Sequence, residues 1–443
     1  MDTDSGEFQA AKVDPPTQDP WIQIEIAKRR IGDRLPRILL RKGRQLPIEG
    51  FRISYKCEML HRTGSFKERG ALNALLKLTK EERRVGVIAA SAGNHAQALG
   101  YHGTKLNVPV TVVMPTNAPI VKVENCRALG ANVVLHGRNF AEAMTMAMSI
   151  SKEKGMKYIN GYDHPDVISG AGTCGLEILQ QLPDVEAVVI PCGGGGLLAG
   201  VALALKRINP AIKIIGVESE RCPSMTAALA AGKPVYTEVR GGTIADGLAV
   251  VEVGTNAFNI IKEYVDEVIT IPEHYISMAI LHLLEKEKLL CEGAGCTGLA
   301  GILSGRLNHL KGLNVTTILC GGNIDMTVLG RVLERGLYSS GRMMQFDCAI
   351  SDRVGGLAQF CQCLSETKAS VKEIVQERPF IADVNVCSVH LVCEVLSAEH
   401  GRAVVEEMRK SGFILKVAND KKYDDVNLSQ LYAMSPAKAV SRL

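Results

Sequence analysis

Short apolar runs that alternate with helical periods restrict this chain more than any other feature. The runs fall at residues 85–90, 108–114, 131–135, 187–191, 212–217, 267–271 and 315–319. Each is too short for a buried helix and lacks the polar alternation of a half-exposed strand. Between them, helical periods are expected at 94–103, 120–130, 141–154, 197–208 and 276–288. Strands buried on both faces and separated by helices indicate parallel β/α layers. In such open sheets ligands bind beyond the carboxyl ends of the strands. The Gly-rich and polar stretches of this chain fall at those ends.

Ahead of this region, residues 1–20 are polar and proline-rich and read as a disordered tail. A helix is expected around 21–31 and a short strand at 51–56. The pattern changes after about residue 340. Strands at 344–350, 369–376, 385–395 and 413–417, with helices ending near 366 and 411, give the order β-α-β-β-α-β. The expected organisation is therefore a core at 21–340 with a smaller subdomain at about 84–158, an α+β domain at 341–418, and a loose tail at 419–443. A length of 443 residues is too great for one ordinary core. A formal charge of +4 without a basic, aromatic-interleaved run argues against nucleic acid. The longest nearly apolar run, 196–205, is far short of a membrane span. Thirteen scattered cysteines and an acidic N-terminus point to a reducing, cytoplasmic setting.

Four stretches carry chemistry. Lys67 follows Ser65-Phe66 and opens a helical run. A lysine partly desolvated at such a turn is more easily neutral and nucleophilic, as Schiff-base chemistry requires; a solvated surface lysine is the plain alternative. Gly193, Gly194, Gly195 and Gly196 separate a strand from a helix. Their amides and the helix N-terminus can cradle a phosphate, or the glycines can simply permit close packing. Ser91-Ala92-Gly93-Asn94-His95 is an anion-binding turn or an ordinary helix cap. Cys320, in Cys320-Gly-Gly-Asn323, is a partner for a ring nitrogen or a small buried filler. Glu292-Gly-Ala-Gly295 is a further polar-plus-glycine stretch, with a plain loop as the alternative, and Glu218 with only Glu220 nearby makes a weak metal site. A lysine nucleophile, a phosphate cradle, an anion-binding turn and a ring-nitrogen partner together suit pyridoxal phosphate.

These stretches, with Gly241-Gly-Thr-Ile-Ala-Asp-Gly247, resemble the fold-type II pyridoxal-phosphate enzymes of the serine/threonine dehydratase family over about residues 21–340. The C-terminal unit resembles an ACT regulatory domain. The resemblance implies two open twisted β/α domains, pyridoxal 5'-phosphate as cofactor and a small amino acid as substrate. Lys67 would form the Schiff base and move the substrate α-proton. Phe66 would lie against the ring, Asn94 would bind its hydroxyl, Gly193 to Gly196 would hold the phosphate, and Cys320 would face the ring nitrogen. Ser91, Asn94 and His95 would lie near the substrate carboxylate.

Racemases of the family carry a serine where this chain has Ala92, and an alanine transfers no proton. Elimination is therefore expected, with threonine giving 2-oxobutanoate and serine giving pyruvate, each with ammonia. A serine racemase with side elimination and a non-catalytic sensor are the alternatives. Gly170-Ala171-Gly172-Thr173 stands where many relatives have Gly-Gln-Gly-Thr and bears on a substrate loop. No metal is expected, because the racemase-like cation site would need an acid at Ser224. A single ACT-like unit leaves sheet edges unpaired, so a homodimer or homotetramer is expected, with a small-molecule effector possible at that unit.

Overall fold

The structure, a computed structural model, describes residues 19–44, 46–378 and 383–417. The tails expected at 1–20 and 419–443 lie outside these residues, except for Asp19 and Pro20. Those two cap and open the helix Pro20–Ile31, where the Asp19 carboxylate accepts from Trp21 N–H at 2.9 Å. The chain divides into two compact units after Val328, and the helix Met326–Ser339 spans the division.

The first unit holds two sheets. The larger has the order β1-β2-β10-β7-β8-β9. Its strands are β1 (Leu40–Lys42), β2 (Arg52–Lys56), β7 (Ala187–Pro191), β8 (Lys213–Ser219), β9 (Glu267–Ile271) and β10 (Asn314–Ile318). All neighbours run parallel except the edge strand β1. The smaller sheet has the order β5-β4-β3-β6, wholly parallel, from β3 (Val87–Ala90), β4 (Val110–Met114), β5 (Asn132–Leu135) and β6 (Lys157–Tyr158). Every residue of β3, β4 and β7 is buried, as their continuous apolar runs require. Among the described residues, no helix is long and apolar enough to cross a membrane.

Several elements depart from the periodicity. Helix Pro165–Gln181 was not expected, and Gly170-Ala171-Gly172-Thr173 lies buried inside it rather than in a substrate loop. Its glycines serve packing. A Cβ on Gly170 would stand 2.5 Å from Arg69 O, and one on Gly200 of the facing helix 2.4 Å from Ile168 O. Mid-helix glycine costs about 0.5–1 kcal/mol against alanine, offset here by close approach of two backbones. Glu292-Gly-Ala-Gly295 is likewise no loop. It opens helix Gly293–Leu303, whose residues are all buried, so no amphipathic period betrays it. Val85 closes helix Lys80–Val85, and Gly86 turns the chain at φ 95° before β3. The helix expected over 276–288 is α-helical at Glu273–His282 and continues as a π-helical turn, Leu283–Glu287.

The second unit has one antiparallel sheet of order β12-β13-β11-β14. Its strands are β11 (Met343–Ser351), β12 (Ser370–Glu377), β13 (Val386–Glu394) and β14 (Ile414–Val417). Helices Gly356–Glu366 and Ala398–Lys410 complete the order β-α-β-β-α-β. Phe346, Cys348, Ile350, Val389 and Leu391 alternate into its core with Phe360 and Met408.

Candidate active site

Lys67 is the first residue of helix Lys67–Leu76. Backbone pairing ties the loop before it to the end of β10. Ser65 bridges Gly321, Phe66 N–H donates to Cys320 O at 3.0 Å, and Gly322 N–H donates to Gly64 O at 2.9 Å. The lysine and Cys320 are thus brought together by main chain, although 253 positions separate them (320 minus 67). Lys67 Nζ donates to Gly161 O and lies 5.0 Å from the Phe66 ring centroid. Burial pushes the amine down to about 8, against the opposing pull of Cys320 and Glu292. Behind it, the Arg69 guanidinium is buried between the Glu58 and Glu177 carboxylates at 2.6–2.8 Å. Burial would raise Glu58, but Arg69 and His61 outweigh it and hold the carboxyl well below its usual range. This charge-assisted lattice fixes the first turn of the lysine's helix.

The glycine run lies between β7 and helix Gly196–Ile208, with Gly195 left-handed at φ 95°. A Cβ on Gly194 would stand 2.3 Å from Tyr162 Cγ, and one on Gly196 2.3 Å from Tyr162 O. Close packing is therefore real here, and it coexists with the first amides of the helix, which have no intrahelical acceptor. Tyr162 follows Gly161, whose carbonyl receives the Lys67 amine, so one short segment braces both the lysine and the glycine loop.

The turn Ser91–His95 leaves β3 and enters helix Asn94–Lys105. Gly93 N–H donates to Ser91 Oγ at 3.4 Å. Asn94 Nδ2 donates to Glu292 Oε1 at 2.7 Å, and Asn94 Oδ1 accepts from Asn323 Nδ2 at 2.8 Å. His95 is buried, with Nε2 against Ile159 O at 3.1 Å and no protein partner for Nδ1. Burial and the nearby Lys67 charge push the His95 ring down to about 3, so it stays neutral. Burial and Glu292 push the Cys320 thiol up, so it stays protonated. Glu218 accepts from Met225 N–H, Thr226 N–H and Thr226 Oγ–H, which binds it to the start of helix Ser224–Ala231. Among the described residues, no group of three or more His, Cys, Asp or Glu is placed to hold a metal.

Residues 38–321 match the family of pyridoxal-phosphate dependent enzymes. The chain belongs to this family. Among its relatives, an L-threonine ammonia-lyase of Geobacter sulfurreducens is 41% identical over 90% of this chain and 99% of its own. The solved processed form of threonine deaminase isoform 2 from Solanum lycopersicum is 38% identical, with TM-score 0.65 over 72% of this chain and 94% of that one. A maize serine racemase structure is 32% identical, with TM-score 0.66 over 72% and 98%.

The residues present fit the cofactor of a pyridoxal-phosphate enzyme. The loop at Gly193 to Gly196 excludes side chains at Gly194 and Gly196 and offers amides for a phosphate. Lys67 is a desolvated amine, and Cys320 a neutral thiol beside it. Sequence reasoning missed the partners of Asn94. Asn323 lay in a stretch singled out for its thiol and glycines, and Glu292 in a polar-plus-glycine stretch with a plain loop as the alternative. Gly161 and Tyr162 carried no local signal.

Proposed function

We propose that this protein is an L-threonine ammonia-lyase that converts L-threonine to 2-oxobutanoate and ammonia, and L-serine to pyruvate and ammonia. Lys67 carries this reading: it is a half-buried, readily neutral amine, and the chain has Ala92 where racemases of the family carry a serine. The named relative that spans 90% of the chain supports the same reaction. Pyridoxal phosphate, when bound, supplies the electron sink that acidifies the substrate α-proton and weakens the Cβ–O bond. Lys67 Nζ takes that proton and returns a proton to the Cβ hydroxyl, which departs as water while the Cα–H electron pair becomes the Cα–Cβ double bond. The released enamine then takes up water in solution and loses ammonia.

The other residues bind and orient. Gly193 to Gly196 would hold the phosphate, Phe66 and Asn94 would bind the ring and its oxygen, and Cys320 would serve the ring nitrogen as a neutral thiol. The Ser91 hydroxyl and the backbone N–H groups of Asn94 and His95, at the start of helix Asn94–Lys105, would receive the substrate carboxylate. Residues 341–418 act as an ACT-like regulatory domain for a small-molecule effector in a cytoplasmic homodimer or homotetramer. The β-α-β-β-α-β order and the thirteen free cysteines support this.

Oxoacid release from L-threonine and L-serine, with Lys67→Ala as control, tests the reading. Release by the wild type and none by the variant is expected. D-serine accumulating faster than pyruvate would favour a racemase and overturn it, as would cofactor bound without any oxoacid.

A further inference from the structure

We propose that Glu292 is a positioning residue for this reaction: together with Asn323 it fixes the orientation of the Asn94 amide. The inference rests on the ammonia-lyase reading for its chemistry, but its geometry stands alone. Asn94 belongs to the element leaving the smaller sheet, whereas Glu292 and Asn323 follow the larger. An amide group has two nearly equal ends, and only its partners decide which end faces where. Here the chain of partners runs one way. Thr63 O can only accept, so Asn323 must turn Nδ2 toward it, at 2.7 Å. The same Nδ2 spends its second hydrogen on Asn94 Oδ1 at 2.8 Å. Asn94 Nδ2 must then face Glu292 Oε1, at 2.7 Å, and keeps one hydrogen free for an oxygen of the cofactor.

Glu292 itself is held firmly. Its backbone N–H donates to Gly321 O at 3.0 Å, and it stands at the residue before helix Gly293–Leu303. A Cβ on Gly321 would stand 2.2 Å from Glu292 Oε1, so only glycine leaves room for the carboxyl. Lys67, Asp246, Lys122 and the thiols of Cys291, Cys296 and Cys320 lie within its electrostatic reach. Burial, then Asp246, push this carboxyl up to about 7, against Asn94 and Lys122. In both protonation states Oε1 can accept from Asn94, but the charge presented to Lys67 changes.

The test compares wild-type, Glu292→Gln, Glu292→Ala and Asn323→Ala holoenzymes. Glutamine keeps an acceptor for Asn94 and removes the titration. An inflection near pH 7 in the bound-cofactor absorption is expected of the wild type, and Glu292→Gln should lose it. Glu292→Ala and Asn323→Ala should weaken cofactor binding by roughly 10–100-fold, the loss typical of a hydrogen bond to a charged or fixed partner. Unchanged cofactor affinity in both alanine variants overturns the proposal. Should Glu292→Ala fail to fold, Asn323→Ala decides, and Glu292→Gln, which keeps the acceptor, should bind cofactor nearly as the wild type does. If the wild type releases no oxoacid from threonine, the functional reading fails, while cofactor affinity and absorption still judge Glu292.

Discussion

The chemistry of single side chains gives the sharpest expectations. Lys67 is lowered to about 8, so its neutral, nucleophilic form grows as pH rises through that value. Cofactor uptake by the stripped protein should accelerate from pH 7 to 9 with a midpoint near 8, followed by stopped-flow absorbance. Lys67→Arg, which cannot lose its charge in this range, should show no such uptake. Ala92→Ser places a proton-bearing hydroxyl where the chain has a methyl. That variant should form D-serine from L-serine at a rate chiral chromatography can detect, and an unchanged product ratio would count against the one-base reading. Lys67 could be read in the sequence only beside the glycine run, the Ser91–His95 turn and Cys320, since its local neighbours suit a solvated lysine equally well. Asn94 could be read only as a turn residue, because its carboxylate partner lies 198 positions away and no short-range pattern records that pairing.

Among elements, the strands were the most legible. Continuous apolar runs such as Ala187–Pro191 have few alternatives once a helix is too long to fit. Helices buried on all sides were the least legible. Gly293–Leu303 and Pro165–Gln181 replace the usual apolar stripe with glycines that let backbones meet. Those glycines make a direct prediction. Gly200→Ala forces a methyl against Ile168 O and Gly172, so it should destabilise the protein by about 1–3 kcal/mol. Chemical denaturation would measure this, and a loss below about 0.5 kcal/mol would mean the two helices separate more easily than their packing implies. In the glycine loop, Gly194→Ala meets the Tyr162 ring and should lower cofactor affinity more than it lowers stability.

For the whole molecule, the open question is assembly. The second unit has two sheet edges, β12 and β14, and β12 is exposed along almost its whole length. Light scattering should show a dimer or tetramer, and a strictly monomeric mass at micromolar concentration would contradict the proposed assembly. The order of this unit was legible because its strands alternate, whereas the choice of partner leaves no trace in a single sequence. The edge also bears on handling the protein. Val371, Ile374 and Val375 of β12 are all more than one third exposed, interrupted only by Lys372 and Glu373. An unpaired edge with so many β-branched side chains is a template for sticking. Released from its own chain as a fragment, this unit would be prone to precipitate on concentration, and a lysine at Val375 would be the gentlest way to keep it in solution.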